Sequence, residues 1–207
     1  MIGIIDYGAG NLRSVAKAFE FLGAPTKVIQ GPADIKGVSR LVLPGVGAYA
    51  AALNNLHSRG IADPVAVWLK ADRPFLGICL GLQLLFDGSE EAPGRKGFGR
   101  FSGRALKFQA YKVPQIGWNK IQFEGSAGLL SLRDTIVQNI NAGSYFFFLH
   151  SYYIVPSDPT ITIARARYGI EYAAAVQQGN VCGVQFHPEK SGDLGLQLLR
   201  NWIDHGD

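Results

Sequence analysis

The chain has 207 residues, of which 47% are hydrophobic and 17% charged, so it can bury a sizeable core and is unlike a disordered protein. No run of about 18 consecutive apolar residues is present, which predicts no membrane span. The net charge is only +4, and the basic residues between positions 95 and 107 are diluted by glycine, whereas nucleic-acid surfaces carry denser basic stripes with stacking aromatics. We therefore expect no nucleic-acid partner. The first six residues contain no basic leader, which predicts a cytoplasmic location and reduced thiols at Cys79 and Cys182.

In the first half of the chain, short apolar runs alternate with amphipathic stretches. Ile2–Ile5 predicts a strand and a following turn, and apolar residues recur at helical spacing between Asn11, a candidate cap, and Gly23. The next predicted elements are strands at Thr26–Ile29 and Arg40–Leu43, helices at 48–56 and 65–69, a strand at 75–79 and a helix opening at 82–86. This alternation favours a parallel sheet with helices on both faces.

The second half of the chain has a different pattern. The segment 94–108 is rich in Gly, Arg and Phe, which indicates loop and edge structure. Four consecutive strands are then predicted, at 144–155, 160–168, 173–178 and 181–186. A final helix is predicted at 194–203. Consecutive strands pair antiparallel, so we expect a single α/β domain over 1–207 with an open mixed, mainly parallel sheet flanked by helices.

The segment Gly77-Ile78-Cys79-Leu80-Gly81 lies where a predicted strand meets a helix. A nucleophile on such a sharp turn has strained backbone, and flanking glycines avoid collisions there. The helix N-terminus favours a thiolate at Cys79, and the N–H of Leu80 is placed to donate to an oxyanion. A buried cysteine in an ordinary strand-to-helix turn would have the same local sequence.

A thiol nucleophile needs a base, and the base needs an acid that orients it. In Gln185-Phe186-His187-Pro188-Glu189, which follows an apolar strand, residues two apart point the same way in extended chain. His187 and Glu189 are therefore predicted to project together toward Cys79. Taken singly, either residue is equally typical of a surface turn.

A third motif follows the predicted strand at Arg40–Leu43. The Gly-rich turn Pro44-Gly45-Val46-Gly47 begins at the carboxyl end of that strand, where sites form in open α/β sheets. Its backbone is a candidate second oxyanion donor. Phosphate binding is an alternative, but neither a dinucleotide pattern nor the Lys-Ser/Thr of a phosphate loop is present.

Together these three motifs resemble those of the class I glutamine amidotransferases, whose activity relies on a Cys-His-Glu triad. Within that family, segments 6–15, 117–119, 150–152 and 188–191 are similar to the glutaminase subunits of imidazole glycerol phosphate synthases, which act in histidine biosynthesis. The resemblance covers nearly the whole chain, except that 94–103 has no clear register with the family.

The resemblance implies a role for each matching residue. Cys79 would attack the side-chain amide of glutamine, with His187 as acid and base and Glu189 orienting it. The implied oxyanion hole is formed by Leu80, Val46 and Gly47, after a peptide flip of the turn. The implied substrate-binding residues are Gly45, Gln83, Glu91, His150, Ser151 and Tyr152, and the implied partner-interface residues are Asn11, Trp118 and Lys190. No cofactor and no metal are expected.

Several of these residues have structural alternatives. Gln83 is also typical of a surface amide, His150 of a buried histidine after an apolar strand, and Trp118 of a core plug. Cys182 lies within a predicted strand and is expected to be structural.

The implied partner is a (β/α)8 cyclase subunit, which uses the ammonia and forms a heterodimer with this chain. Free ammonia is mostly protonated at neutral pH, so a channel to a docked partner would preserve its nucleophilicity. Rival hypotheses are a glutaminase serving another synthase, a non-catalytic binding module on the same fold, and a cysteine hydrolase or redox sensor.

Overall fold

The computed structural model describes residues 1–109, 112–123 and 134–205. Five neighbouring parallel strands form one half of its sheet: Ile2–Ile5 (β1), Thr26–Ile29 (β2), Arg40–Leu43 (β3), Phe75–Ile78 (β4) and Val181–Val184 (β12). Their order in the sheet is β2-β1-β3-β4-β12. The carboxyl ends of all five strands therefore lie at the same edge of the sheet.

Seven further strands of the described residues belong to the sheet: Phe86–Ser89 (β5), Phe101–Lys107 (β6), Gln115–Gln122 (β7), Tyr145–His150 (β8), Tyr152–Pro156 (β9), Thr162–Tyr168 (β10) and Ile170–Gln178 (β11). The sheet continues from β12 through antiparallel strands, in the order β11-β10-β7-β8. A side arm also leaves β11, in which β9 pairs with β11 and β6, and β6 pairs with β5. The mixed α/β sheet predicted from the sequence is thus confirmed, with the antiparallel strands in the second half.

Helices cover both faces of the sheet. Their bounds are Leu12–Phe21 (α1), Tyr49–Ser58 (α2), Ala62–Lys70 (α3), Leu80–Leu84 (α4) and Gly192–Asp204 (α5). Helices α1 and α5 pack on one face, where the rings of Phe19 and Trp202 are 5.7 Å apart, and α2, α3 and α4 pack on the other. In β3, Leu41 and Leu43 pack in the core under α2, α3 and α4, whereas Val42 packs in the core under α1 and α5. Successive side chains of a strand alternate between the two faces of the sheet.

Three local predictions were wrong or incomplete. Phe86 does not belong to the helix predicted to open at 82–86; α4 ends at Leu84 and Phe86 begins β5. The predicted strand at 144–155 is two strands, β8 and β9, interrupted at Ser151. The segment 94–108 includes a regular strand, β6, and β7 was not predicted at all. None of the helices in the described ranges is both long and apolar enough to cross a membrane.

Candidate active site

Cys79 lies between β4 and α4 with strained backbone, at φ +53° and ψ −104°. A non-glycine residue in this region costs about 1–3 kcal/mol, which the surrounding structure must offset. The N–H of Cys79 donates to the carbonyl of Val184 on β12 at 2.7 Å, which fixes the turn to the neighbouring strand. At Gly77, a Cβ atom would lie 2.7 Å from the backbone of Gly81, so both flanking glycines are required by close packing.

His187 and Glu189 follow β12 and form a buried pair. Nδ1 of His187 lies 2.9 Å from Oε1 of Glu189, and the two side chains are only 2% and 1% exposed. The backbone of His187 is held by its N–H, which donates to the carbonyl of Phe147 at 2.8 Å, and by its own carbonyl, which accepts from Ser191 Oγ at 2.7 Å. The imidazole therefore has a fixed orientation, with Nδ1 toward the acid.

The charge environment of His187 favours imidazolium. Burial opposes the charged form, but interactions with Cys79 and then with Glu189 outweigh it and raise the pKa of His187 to about 10. No residue in the described part of the chain makes a hydrogen bond of standard geometry with Nε2 of His187. The sulfur of Cys79 instead contacts the carbonyl of Leu149 at 3.6 Å. Sulfur and imidazole are thus coupled electrostatically without a closed proton-transfer geometry, which is common before substrate binds.

The Gly-rich turn after β3 lies directly against the Cys79 turn. The carbonyl of Gly45 accepts from the N–H of Leu80 at 3.4 Å, so the amide predicted to bind the oxyanion is already paired. A Cβ atom on Gly45 would lie 2.7 Å from the Cβ of Leu80, which shows how closely the two turns approach. In this arrangement the oxyanion hole is not formed. Rotation of the peptide between Gly45 and Val46 would replace the carbonyl by the N–H of Val46.

A pocket of about 250 Å³ opens in front of Cys79. This is slightly below the range of about 300–1,000 Å³ for drug-sized ligands, and so suits a molecule of amino-acid size. The residues that line it are Val46, Gly47, Cys79, Leu80, Gln83, Glu91, Pro114, Leu149, His150, Ser151 and Tyr152. The structure thus brings the predicted substrate-binding and oxyanion residues to one pocket, with Gly45 directly behind its wall.

His150 is buried at the base of this pocket and is neutral. Burial lowers its pKa to about 4, the bond to Tyr152 opposes that shift, and the nearby charge of His187 adds to it. Nδ1 of His150 lies 2.8 Å from the carbonyl of Tyr152, which can only accept, so Nδ1 carries the proton. The same carbonyl accepts from Nε2 of Gln83 at 3.2 Å. These bonds order the pocket wall and show that Gln83 is not a surface amide.

Cys182 lies on β12, away from this pocket. It is fully buried, and burial raises the pKa of its thiol. This matches its predicted structural place. Within the described ranges, no group of three or more His, Cys, Asp or Glu side chains is arranged to hold a metal ion.

The model of the family "Glutamine amidotransferase class-I" matches residues 3–205. The chain belongs to this family. Among curated proteins, this amidotransferase is 45% identical to "Imidazole glycerol phosphate synthase subunit HisH" of Desulfitobacterium hafniense (strain DSM 10664 / DCB-2), across 99% of this chain and 95% of that protein. It is 43% identical to the protein of the same name from Syntrophotalea carbinolica, across 99% and 100% of the two chains.

Solved structures of low sequence identity share the fold of this amidotransferase. One described as "Crystal structure of glutamine amidotransferase" has a TM-score of 0.76 at 18% identity, covering 98% of this chain and 97% of that one. "Structure of PurLQS from Thermotoga maritima" has a TM-score of 0.73 at 20% identity, with the same coverage. At such identities the likeness concerns the fold alone.

Of the predicted interface residues of the amidotransferase, Asn11 and Lys190 follow the parallel strands β1 and β12, and Trp118 lies on β7. Trp118 is 57% exposed on β7, so it does not plug the core. Its ring centroid is 6.1 Å from that of Phe147, and the amine of Lys190 lies 5.7 Å from the same Phe147 ring. Asn11 precedes α1, which packs against the turn that carries Lys190. Asn11 is the N-cap residue of α1, as predicted, but its side chain makes no cap hydrogen bond.

One residue close to the nucleophile was missed by the sequence reasoning. Gln185 is 0% exposed, and its Nε2 lies 3.6 Å from the sulfur of Cys79. The available signal was its position two residues before His187, since residues of the same parity in extended chain project to the same side.

Proposed function

We propose that the chain is the glutaminase subunit of an imidazole glycerol phosphate synthase. It hydrolyses glutamine to glutamate and ammonia and delivers the ammonia to a (β/α)8 cyclase subunit. Sequence identity of 41–45% to proteins named as this subunit, over nearly the whole chain, supports the assignment. The observation that carries the chemistry is the buried pair of His187 and Glu189, whose imidazole interacts with Cys79, while Cys79 itself lines an amino-acid-sized pocket.

In the proposed reaction the Cys79 thiolate attacks the side-chain amide carbon of glutamine. The carbonyl π electrons move to oxygen, and the N–H groups of Leu80 and Val46 stabilise the resulting oxyanion. Imidazolium at His187 gives its proton to the amide nitrogen, the C–N bond breaks, and ammonia leaves a γ-glutamyl thioester. His187 then takes a proton from water, which attacks the thioester and releases glutamate and the thiolate.

The amino-acid end of glutamine would be held by the pocket wall. Gln83, Glu91, His150, Ser151 and Tyr152 line the pocket, and Glu91 is the acidic group available to an α-amine. The carboxylate of Glu91 also accepts from the N–H of Tyr49 at 3.2 Å, which fixes its position. The roles of these residues are part of the proposal.

The pairing of Leu80 with the Gly45 carbonyl supports a partner-dependent enzyme. While that bond persists, the oxyanion formed when the thiolate attacks would face a carbonyl oxygen where it needs an N–H donor. Docking of the cyclase on the surface around Trp118, Phe147 and Lys190 would shift the Gly45–Val46 peptide to its donating orientation. Glutamine would then be consumed only when the acceptor is present.

The deciding experiment measures glutamine hydrolysis by the chain alone, with the cyclase subunit, and with the cyclase subunit and its ribotide ligand. We expect low activity alone and a rise of at least about 100-fold with both, since one oxyanion donor is worth about 10²–10³ in rate. A glutamine-mimicking electrophile should label the active complex, and Cys79→Ala should abolish both labelling and hydrolysis. A rate independent of the cyclase would contradict the coupling. Absence of hydrolysis and labelling in the complex would contradict the glutaminase assignment.

A further inference from the structure

A buried glutamine lies under the candidate nucleophile, outside the substrate pocket. Gln185 directly follows β12 and is 0% exposed, and its backbone N–H donates to the carbonyl of Ala174 on β11 at 2.8 Å. Its side-chain Nε2 lies 3.6 Å from the sulfur of Cys79, within hydrogen-bonding distance for sulfur. Gln185 is not among the pocket-lining residues, so a contact with substrate does not explain its position.

The orientation of the Gln185 carboxamide is fixed by a chain of hydrogen bonds. The carbonyl of Tyr152 can only accept, so Gln83 must present its Nε2 to it, at 3.2 Å. That Nε2 also lies 3.4 Å from the side chain of Gln185, which must therefore present its oxygen. The remaining end of Gln185, its amide nitrogen, is left to face the sulfur. The sulfur thus receives an N–H donor rather than a carbonyl oxygen.

The two polar contacts of the sulfur respond oppositely to loss of its proton. As a thiol, Cys79 donates to the carbonyl of Leu149 at 3.6 Å and accepts from Gln185. As a thiolate, it can no longer donate, so the Leu149 carbonyl repels it. The N–H of Gln185 then donates to a full negative charge, and bonds of this kind are roughly twice as strong as neutral ones. Gln185 is therefore the contact that strengthens when the nucleophile forms.

We propose that Gln185 is a positioning residue whose carboxamide N–H stabilises the Cys79 thiolate and holds its sulfur beside the pocket, with Gln83 fixing the orientation of that carboxamide. This inference rests on the proposed function, because it assumes that Cys79 is the nucleophile. Besides His187, Gln185 is then a second group that stabilises the thiolate, two residues earlier in the same segment.

Other titratable groups also face this sulfur or its base and remain unchanged in the test below. His187 and Glu189 come from the segment after β12, Tyr7 from the turn after β1, Tyr172 from β11, His150 from β8, and Glu91 from the pocket wall. The comparison between variants therefore isolates the carboxamide.

The test compares the pH dependence of Cys79 alkylation by iodoacetamide in wild type, Gln185→Met and Gln185→Glu, with modification at Cys79 located by mass spectrometry. Methionine has a similar length but no N–H, so the midpoint of the alkylation profile should move up by about one pH unit. Glutamate has the same shape but places a carboxylate oxygen toward the sulfur, and should move the midpoint up by at least as much. In the complex with the cyclase, kcat for glutamine should fall about 10-fold with KM changed less than about 3-fold, because Gln185 stabilises the nucleophile and does not contact substrate.

Gln177→Met is the matched control. Gln177 is also a buried glutamine, 1% exposed, and its side chain bonds to the backbone of Ile136 and Asp134 and to His205, away from Cys79. Its replacement should reduce stability similarly and leave the alkylation midpoint unchanged.

The outcomes separate this inference from the proposed function. A midpoint that stays at the wild-type value in Gln185→Met overturns the role of Gln185, even if the complex hydrolyses glutamine normally. If Gln185→Met fails to fold, Gln185→Glu decides alone, and an unchanged or lowered midpoint overturns the inference. The proposed function itself is refuted if the wild-type complex does not hydrolyse glutamine and if the glutamine-mimicking electrophile still labels Cys79→Ala.

Discussion

Replacing Glu189 by glutamine tests whether the buried carboxylate sets the charge of His187. The change keeps the shape and an acceptor oxygen for Nδ1, at present 2.9 Å from Oε1, but removes the negative charge. In the folded protein the pKa of His187 is about 10, against an ordinary value of 6.5. That difference of about 3.5 pH units corresponds to about 5 kcal/mol of stabilisation, at about 1.36 kcal/mol per unit.

Cys79 and Glu189 share this stabilisation, so loss of the carboxylate alone should lower the pKa of His187 by at least about 1 unit, which is about 1 kcal/mol or more. The folded-state pKa is raised, so the stabilisation is fully present below pH 6.5 and is lost as the pH rises through about 10. Glu189→Gln should therefore unfold more easily than wild type at pH 6, and the two unfolding free energies should converge toward pH 10.

Two measurements check this. NMR titration of the His187 imidazole should give a pKa at least about 1 unit lower in Glu189→Gln, and urea unfolding at pH 6, 8 and 9.5 should show the converging stabilities. The control is Glu171→Gln, whose side chain is 64% exposed, and which should change stability by less than about 0.5 kcal/mol at every pH. The reasoning is refuted if the pKa of His187 in Glu189→Gln stays within about half a unit of wild type, or if the stability difference does not depend on pH.

Three further predictions concern the turn, the exposed surface and the pocket base. Gly81→Ala would place a methyl group against the backbone of β3 and should cost at least about 3 kcal/mol in urea unfolding, whereas Gly31→Ala, with no atom within 4 Å of the added carbon, should cost less than about 0.5 kcal/mol. Trp118→Ala should leave stability unchanged but weaken cyclase binding by at least about 10-fold in calorimetry. Phe21→Ala, 76% exposed at the opposite end of α1, should leave that affinity unchanged; equal losses would place the interface elsewhere. Burial lowers the pKa of His150 from 6.5 to about 4, so the free energy of unfolding should fall by about 3 kcal/mol as the pH drops from 6.5 to 4. This loss should be absent in His150→Gln, and an NMR titration midpoint of His150 above pH 5.5 would contradict the prediction.

The parallel half of the sheet could be predicted because its signals are local. All its strands except the edge strand β2 are short runs buried on both faces, as in Ile2–Ile5 and Arg40–Leu43, and each strand is followed by a glycine- or proline-containing turn. The three catalytic candidates were found for the same reason. Cys79, His187 and Glu189 follow strands whose carboxyl ends meet at one edge, so their proximity follows from the topology.

The strands β6 and β7 could not be predicted in this way. In β7 only Gln115 and Ile121 are buried, and Ile116 and Trp118 point to solvent, so the usual apolar alternation is absent. Exposed apolar residues on a strand are typical of a protein-binding surface. The packing within the isolated chain therefore does not explain their pattern. Phe86 shows another ambiguity, because the apolar run from Leu82 fits a buried helix as well as a strand, and only the packing decides.

The contacts that the site makes with backbone carbonyls could not be predicted either. The carbonyl of Gly45 accepts from the N–H of Leu80, and the carbonyl of Leu149 contacts the sulfur of Cys79. Any residue type has such carbonyls, so no sequence pattern encodes their direction. The buried Gln185 was missed for a related reason. The orientation of its side chain is set, through Gln83, by the acceptor carbonyl of Tyr152, which is distant in sequence.

Strand β8 connects the exposed surface to the nucleophile within three residues. The ring of Phe147 lies between Trp118 and Lys190, while its carbonyl accepts from the N–H of His187. Two residues later, on the same side of the strand, the carbonyl of Leu149 contacts the sulfur of Cys79. A partner that presses on the Phe147 ring therefore acts on a strand whose backbone holds both the base and the thiol. A shift of β8 that moves the acceptor carbonyl of Leu149 away from the sulfur would leave the N–H donor of Gln185 as its remaining polar contact, and this would favour the thiolate when the partner docks.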